Sequence, residues 1–95
     1  MITSTRHKIL LEVENERDRQ VVKWGTEFDK KNTSNDWITY ICSYAGKAYK
    51  HRWDPTNFRL RLIQTAAICV AAIEVLDEKY GQLAKTHYDE HRENI

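Results

Sequence analysis

The segment from Phe58 to Tyr80, FRLRLIQTAAICVAAIEVLDEKY, leaves this chain few folds to choose from. Its middle, Ala66 to Ile73, is an unbroken run of eight apolar residues. Leu62, Ala66, Cys69, Ile73, Leu76 and Tyr80 recur at steps of four and three, the spacing of one helix face. Ile63, Ala67 and Val70 make an adjoining stripe. A helix that is apolar on most of its circumference must be covered from several sides. The other elements, and a second copy of the chain, are therefore expected to pack around it.

Those other elements also read as helices. One Pro and three Gly in 95 residues leave little punctuation for a multi-stranded sheet. A first helix is predicted over about Arg6 to Trp24, capped by Ser4 or Thr5 and stopped by Gly25. Leu10, Val13, Val21 and Trp24 share one of its faces, with Arg17 in the middle of that stripe. Glu14–Arg17 and Glu16–Arg19 are spaced to pair on its surface. Thr26 to Asn35 is polar and reads as a loop. A second helix is predicted after Asn35 or Asp36, burying Ile38, Ile41, Ala45 and Ala48, with Trp37, Tyr40 and Tyr44 flanking them. Gly46 costs about 1 kcal/mol of helix propensity relative to Ala, which points to a close helix contact there. Pro55 ends this helix near Arg52, and the third begins near Thr56 or Asn57. The expected fold is all-α, a bundle of three main helices completed by homo-oligomerisation into a four-helix-type core. Residues 1–84 form one domain, and 85–95 a charged tail, helical or frayed.

Several function classes find no support. The net charge of +1 gives no bulk attraction to nucleic acid or membrane. Charge is nonetheless focused: Lys47, Lys50, Arg52, Arg59 and Arg61 stand against Asp54 alone, a local net of +4. No apolar run approaches the roughly 20 residues that span a bilayer, and the N-terminus does not read as a signal peptide. A cytoplasmic location is expected, with Cys42 and Cys69 as two buried thiols. His87 and His91 share a helix face, but Tyr88 stands where a zinc-protease helix needs Glu, so no metal is assigned to them. Ser43 has no His and acid arrangement to activate it.

A larger pattern emerges from Glu16-Arg17-Asp18-Arg19-Gln20, then Lys23-Trp24-Gly25, Asp36-Trp37-Ile38, Leu62-Ile63-Gln64-Thr65-Ala66-Ala67 and Ile73-Glu74. Together these resemble the small MazG-like, all-α nucleoside triphosphate pyrophosphohydrolases, in the short single-domain form common in phages and prophages. The likeness covers most of residues 9 to 77. In that family carboxylates at helical spacing gather Mg²⁺ ions that bridge the triphosphate and activate water. Laid on this chain, the E-E-x-x-E signature falls on Ser43, Tyr44 and Lys47, and the next acidic position falls near Leu60 and Arg61. None of the five is a carboxylate, so no metal ligand, cofactor or catalytic residue is carried over.

Lys and Arg in place of acids suit an anion better than a cation. Lys47, Arg61 and Arg59 are the candidate phosphate contacts, and Tyr44 and Trp37 the candidate surfaces for stacking a base. The plainer reading of the same side chains is that they are solvated or paired with acids of a neighbouring subunit. The expected function is a non-catalytic, MazG-like binding or interaction protein that sequesters a nucleotide or targets a host protein, and that associates with itself. The alternatives are a divergent metal-dependent pyrophosphohydrolase with a rebuilt site, and a nucleic-acid-binding module gripping through Tyr49-Lys50-His51-Arg52-Trp53.

Overall fold

The fold comes from a computed structural model, which describes residues 4–78 apart from the side chains of Thr26 and Phe28. Four helices follow one another: α1 (Thr5–Trp24), α2 (Thr26–Lys31), α3 (Ser34–Lys50) and α4 (Pro55–Asp77). No strand occurs among the described residues, and the three long helices make the bundle that the spacing predicts. None of these helices is long and apolar enough to cross a membrane.

Each of the three long helices starts on a side chain that meets its free amides. The Ser4 hydroxyl accepts from the His7 N–H at 3.0 Å. Thr33 and Asp36 form a capping box: Thr33 Oγ1 accepts from the Asp36 N–H at 3.2 Å, and Asp36 Oδ2 accepts from the Thr33 N–H at 2.9 Å. α3 thus begins slightly before the expected Asn35 or Asp36. Asp54 caps α4, with Pro55 at its first position, where the missing N–H costs nothing. α1 ends at Gly25, whose φ of 81° suits glycine and whose N–H donates to the Val21 carbonyl.

The segment expected to be a loop instead holds α2. One turn of helix, TEFDKK, follows Gly25 directly, with Glu27 and Asp29 towards its N-terminal end and Lys30 and Lys31 in its last turn. Its six residues show no apolar periodicity, so nothing in the hydrophobic pattern announces it.

α4 is central, as expected, but it buries the other face. Ala67, Ile68, Ala71 and Val75 lie inside, while Leu62, Ile73 and Leu76 are about half exposed. At about 100° per residue the two faces lie roughly opposite. α3 is also turned relative to expectation. Trp37 and Ala48 are buried, Tyr40 and Tyr44 pack on the core with Ile41, and Ile38 and Ala45 are exposed. The core is Trp37, Ile68, Ala71 and Val75. On α1, Val13, Arg17 and Gln20 are buried, whereas Leu10 is 58% exposed.

Three smaller expectations fail. A Cβ at Gly46 would meet nothing within 4 Å, so no close helix contact explains that glycine. Cys42 is exposed and Cys69 half-buried, and both are free. Arg17 pairs with Asp29 and Glu74 instead of Glu14, while the Glu16–Arg19 pair forms as expected. Tyr80, the tail, His87 and His91 lie outside the described residues.

α4 touches α1, α2 and α3, whereas α1 and α3 do not meet backbone to backbone. A space therefore remains between them, with α4 as its floor.

Candidate functional site

That space is a cavity of 350 Å³ to which all four helices contribute. Gln20 and Trp24 come from α1, Asp29 from α2, Trp37, Tyr40 and Tyr44 from α3, and Ile68 and Ala71 from the floor. Four aromatic rings thus surround one opening. Trp37 and Tyr40 meet edge to face, centroids 6.3 Å apart and planes at 86°. Burial raises the Tyr40 hydroxyl's pKa, with Asp36 adding to the effect. Two amino groups sit over ring faces: Lys47 Nζ is 4.4 Å from the Tyr44 centroid and Lys23 Nζ is 5.4 Å from that of Trp24. The walls are therefore aromatic, and two of their rings carry ammonium groups.

Asp29 separates this cavity from a neighbouring one of 280 Å³ lined by Arg17, Val21, Asp29, Lys30, Glu74, Val75 and Glu78. Arg17 organises the second cavity. Its Nη2 donates to Asp29 Oδ2 at 2.5 Å, and its Nε donates to Glu74 Oε1 at 2.7 Å. Arg17 and Asp29 are both more than nine-tenths buried, while the Glu74 side chain keeps 43% of its exposure. Burial alone would lower the Arg17 pKa, but the bonds to Glu74 and Asp29 outweigh it and raise the value. One guanidinium thus ties α1, α2 and α4 together and balances one of the two carboxylates it binds, the buried Asp29 beside the aromatic cavity among them.

An open groove of 700 Å³ lies between α1 and the start of α4. Arg59 pairs there with Glu12, and Arg19 holds Glu16 with bonds of 2.8 and 2.6 Å. The Arg19 bond draws the Glu16 carboxyl below its usual pKa, against the opposing effect of burial.

The five candidate ligand contacts are not all brought together. Trp37 and Tyr44 share the aromatic cavity, and Lys47 reaches it through the Tyr44 ring. Trp37 is 4% exposed, so it is a wall and part of the core at once, with its indole N–H unpaired. Arg59 lies in the open groove, engaged by Glu12. Arg61 donates to Gln64 Oε1 at 3.0 Å and lines neither cavity.

Sequence reasoning missed Asp29, hidden in a supposed loop, and the ring of Trp24, read only as core. The one available hint was Arg17, a cation in an otherwise apolar stripe. Chemically the cavity can stack a flat ring. Its one carboxylate is held by a guanidinium and so is poorly placed to act as a base. Among the described residues, no three His, Cys, Asp or Glu side chains gather as a group able to hold a metal ion. Compared with protein families, curated proteins and solved structures, the chain matches none.

Proposed function

We propose that this is a non-catalytic, MazG-like binding protein that takes a nucleotide in the aromatic cavity and associates with itself. The observation that carries this reading is the cavity itself: Trp24, Trp37, Tyr40 and Tyr44 around 350 Å³ at the junction of four helices. A base stacked on an aromatic ring is held by roughly 1–3 kcal/mol. Lys47 and Lys23, already over two of the rings, supply positive charge where a phosphate attached to that base would emerge. The engagement of Asp29 and Glu74 by Arg17 occupies an oxygen of each carboxylate, which favours binding without metal-assisted hydrolysis. Arg59 and Arg61 have no part in this reading. The half-exposed apolar face of α4 supports self-association, because a strip of this kind is normally covered.

A thermal-shift panel of nucleoside mono-, di- and triphosphates, with and without Mg²⁺, tests the proposal. A ligand at about 100 times its Kd adds about 2.7 kcal/mol. In a domain of this size that is a rise in Tm of about 10 °C or more. Stabilisation should occur without metal, vanish in Lys47→Glu and survive in Arg59→Glu. Release of pyrophosphate from any nucleotide with Mg²⁺ or Mn²⁺, or no stabilisation across the panel, overturns it.

A further inference from the structure

Among its aromatic walls the cavity holds two polar atoms that no described residue uses. Gln20 is buried and lines the cavity from α1. Its Nε2 donates to Glu16 Oε2 at 3.2 Å and, more weakly, to the Gln64 carbonyl at 3.5 Å. Turning the amide over would set its oxygen against a carboxylate and a carbonyl, acceptor against acceptor, so these two partners fix its orientation. Arg19 holds Glu16 with two bonds and draws its carboxyl below the usual pKa, which keeps that partner ionised. Gln20 Oε1 is therefore left with no donor among the described residues. Asp29, also buried, repeats the pattern from α2: Arg17 takes its Oδ2, and Oδ1 is left over. The Trp37 N–H, by contrast, is closed off from solvent, and Trp24 and Tyr40 have partners of their own. What the buried lining has to spare is thus two acceptors, one on each side of the α1–α2 junction.

We propose, on the nucleotide reading above, that the base this cavity takes is guanine, whose N1–H and 2-amino group donate to the two free acceptors, Gln20 Oε1 and Asp29 Oδ1. Guanine is the common base with two donors side by side on one edge. Adenine and cytosine offer one amino group flanked by acceptor ring nitrogens. Uracil and thymine offer one N–H between two carbonyls, and those carbonyls would face a carboxylate and an amide oxygen. An acceptor set against a buried acceptor leaves both without a donor, which is the costly case for a buried polar group. A site built to receive an N–H therefore rejects an analogue that lacks it far more strongly than an apolar pocket rejects a misfit. The negative charge of Asp29 adds to the preference, because a hydrogen bond to an ionised acceptor is the stronger kind. The aromatic walls hold any base by its faces, so these two oxygens are what can tell one base from another. Lys47 and Lys23, on the rings, remain available to the phosphate.

Isothermal titration of the full chain with GMP, IMP, AMP and UMP, all without metal, tests the choice of base. IMP differs from GMP only in lacking the 2-amino group, so the pair isolates one hydrogen bond. GMP should bind at least about tenfold tighter than IMP, because one buried acceptor then loses its donor. AMP and UMP should bind more weakly than GMP by at least the same factor. Gln20→Leu, with its helical circular dichroism signal intact, should cut the ratio of GMP to UMP affinity by about tenfold. A merely structural role for Gln20 would weaken both nucleotides alike and leave that ratio where it was. Where the variant does not fold, the comparison of GMP with IMP in the unaltered chain decides. Equal affinity for GMP and IMP, or tighter binding of AMP or UMP, overturns guanine and leaves the nucleotide reading standing. No binding of any of the four overturns both.

Discussion

Removing the Arg17 side chain should destabilise this protein more than any other surface-neutral change of one charge. Arg17→Met keeps the stem and helix propensity but deletes the guanidinium that serves Asp29 and Glu74. Asp29 is 6% exposed, so its carboxylate would be left buried and unpaired. Breaking a buried pair from one side costs about 3–5 kcal/mol. Glu74, at 43% side-chain exposure, finds water and adds less than about 1 kcal/mol. The whole chain of 95 residues is held by about 5–14 kcal/mol, so a large share is at stake. Tm should fall by at least about 12 °C, and the urea midpoint should drop with an unchanged slope. Replacing the whole buried pair, Arg17→Met with Asp29→Leu, should recover most of the loss, because apolar groups of similar size need no partner. Glu74→Gln alone should cost about 1 kcal/mol or less. If Arg17→Met costs under about 1 kcal/mol, or the double variant is no better than the single, the ion pair does not hold α2 in place and the reasoning fails.

Other outcomes are equally specific. Thr33→Ala removes the hydroxyl of a residue that is 1% exposed and caps α3, and should cost about 1–2 kcal/mol in chemical denaturation. The two described glycines should respond in opposite directions. Gly46→Ala meets open space within a helix and should stabilise by about 0.5–1 kcal/mol, whereas Gly25→Ala must adopt a φ of 81° and should destabilise by about 1–3 kcal/mol. The Glu16 carboxyl, drawn below its usual pKa by Arg19, contributes stability above the ordinary carboxylate range and loses it as pH falls through the depressed value. Urea melts between roughly pH 6 and pH 3 should therefore show a shallower acid limb in Glu16→Gln than in the unaltered chain.

Helical class, the three long helices and the dominance of α4 could be read in the chain because they depend on local spacing and caps, whereas the short α2 could not. Which way α4 turns could not. Ala66 to Ile73 is apolar all round, so a stripe of large residues such as Leu62, Ile73 and Leu76 looks like the buried face. The packed face instead uses the small Ala67 and Ala71, which allow neighbouring helices to approach. α3 erred in the same way: Ile38 and Ala45 outscored Trp37 and Tyr40 as core residues although the aromatics bury more area. In both helices the misread stripe is an apolar face that lies about half exposed. The candidate site was partly readable, because Tyr44 and Lys47 lie three apart on one helix and Trp37 two turns away. The Arg17, Asp29 and Glu74 cluster joins three helices across 57 positions, and no spacing rule connects residues so far apart.

α3 and α4 are joined by only the turn from His51 to Asp54, whereas α1 reaches its partners on α4 across more than 40 positions of chain. Chain closure is cheap for the first pairing and slow for the second. Folding should accordingly begin with the α3–α4 hairpin, and α1 should dock afterwards, closing the aromatic cavity last. In stopped-flow kinetics Ala71→Gly should slow refolding, while Arg17→Met should chiefly hasten unfolding. The reverse assignment would mean that α1, and with it the cavity wall, is in place before the hairpin is complete.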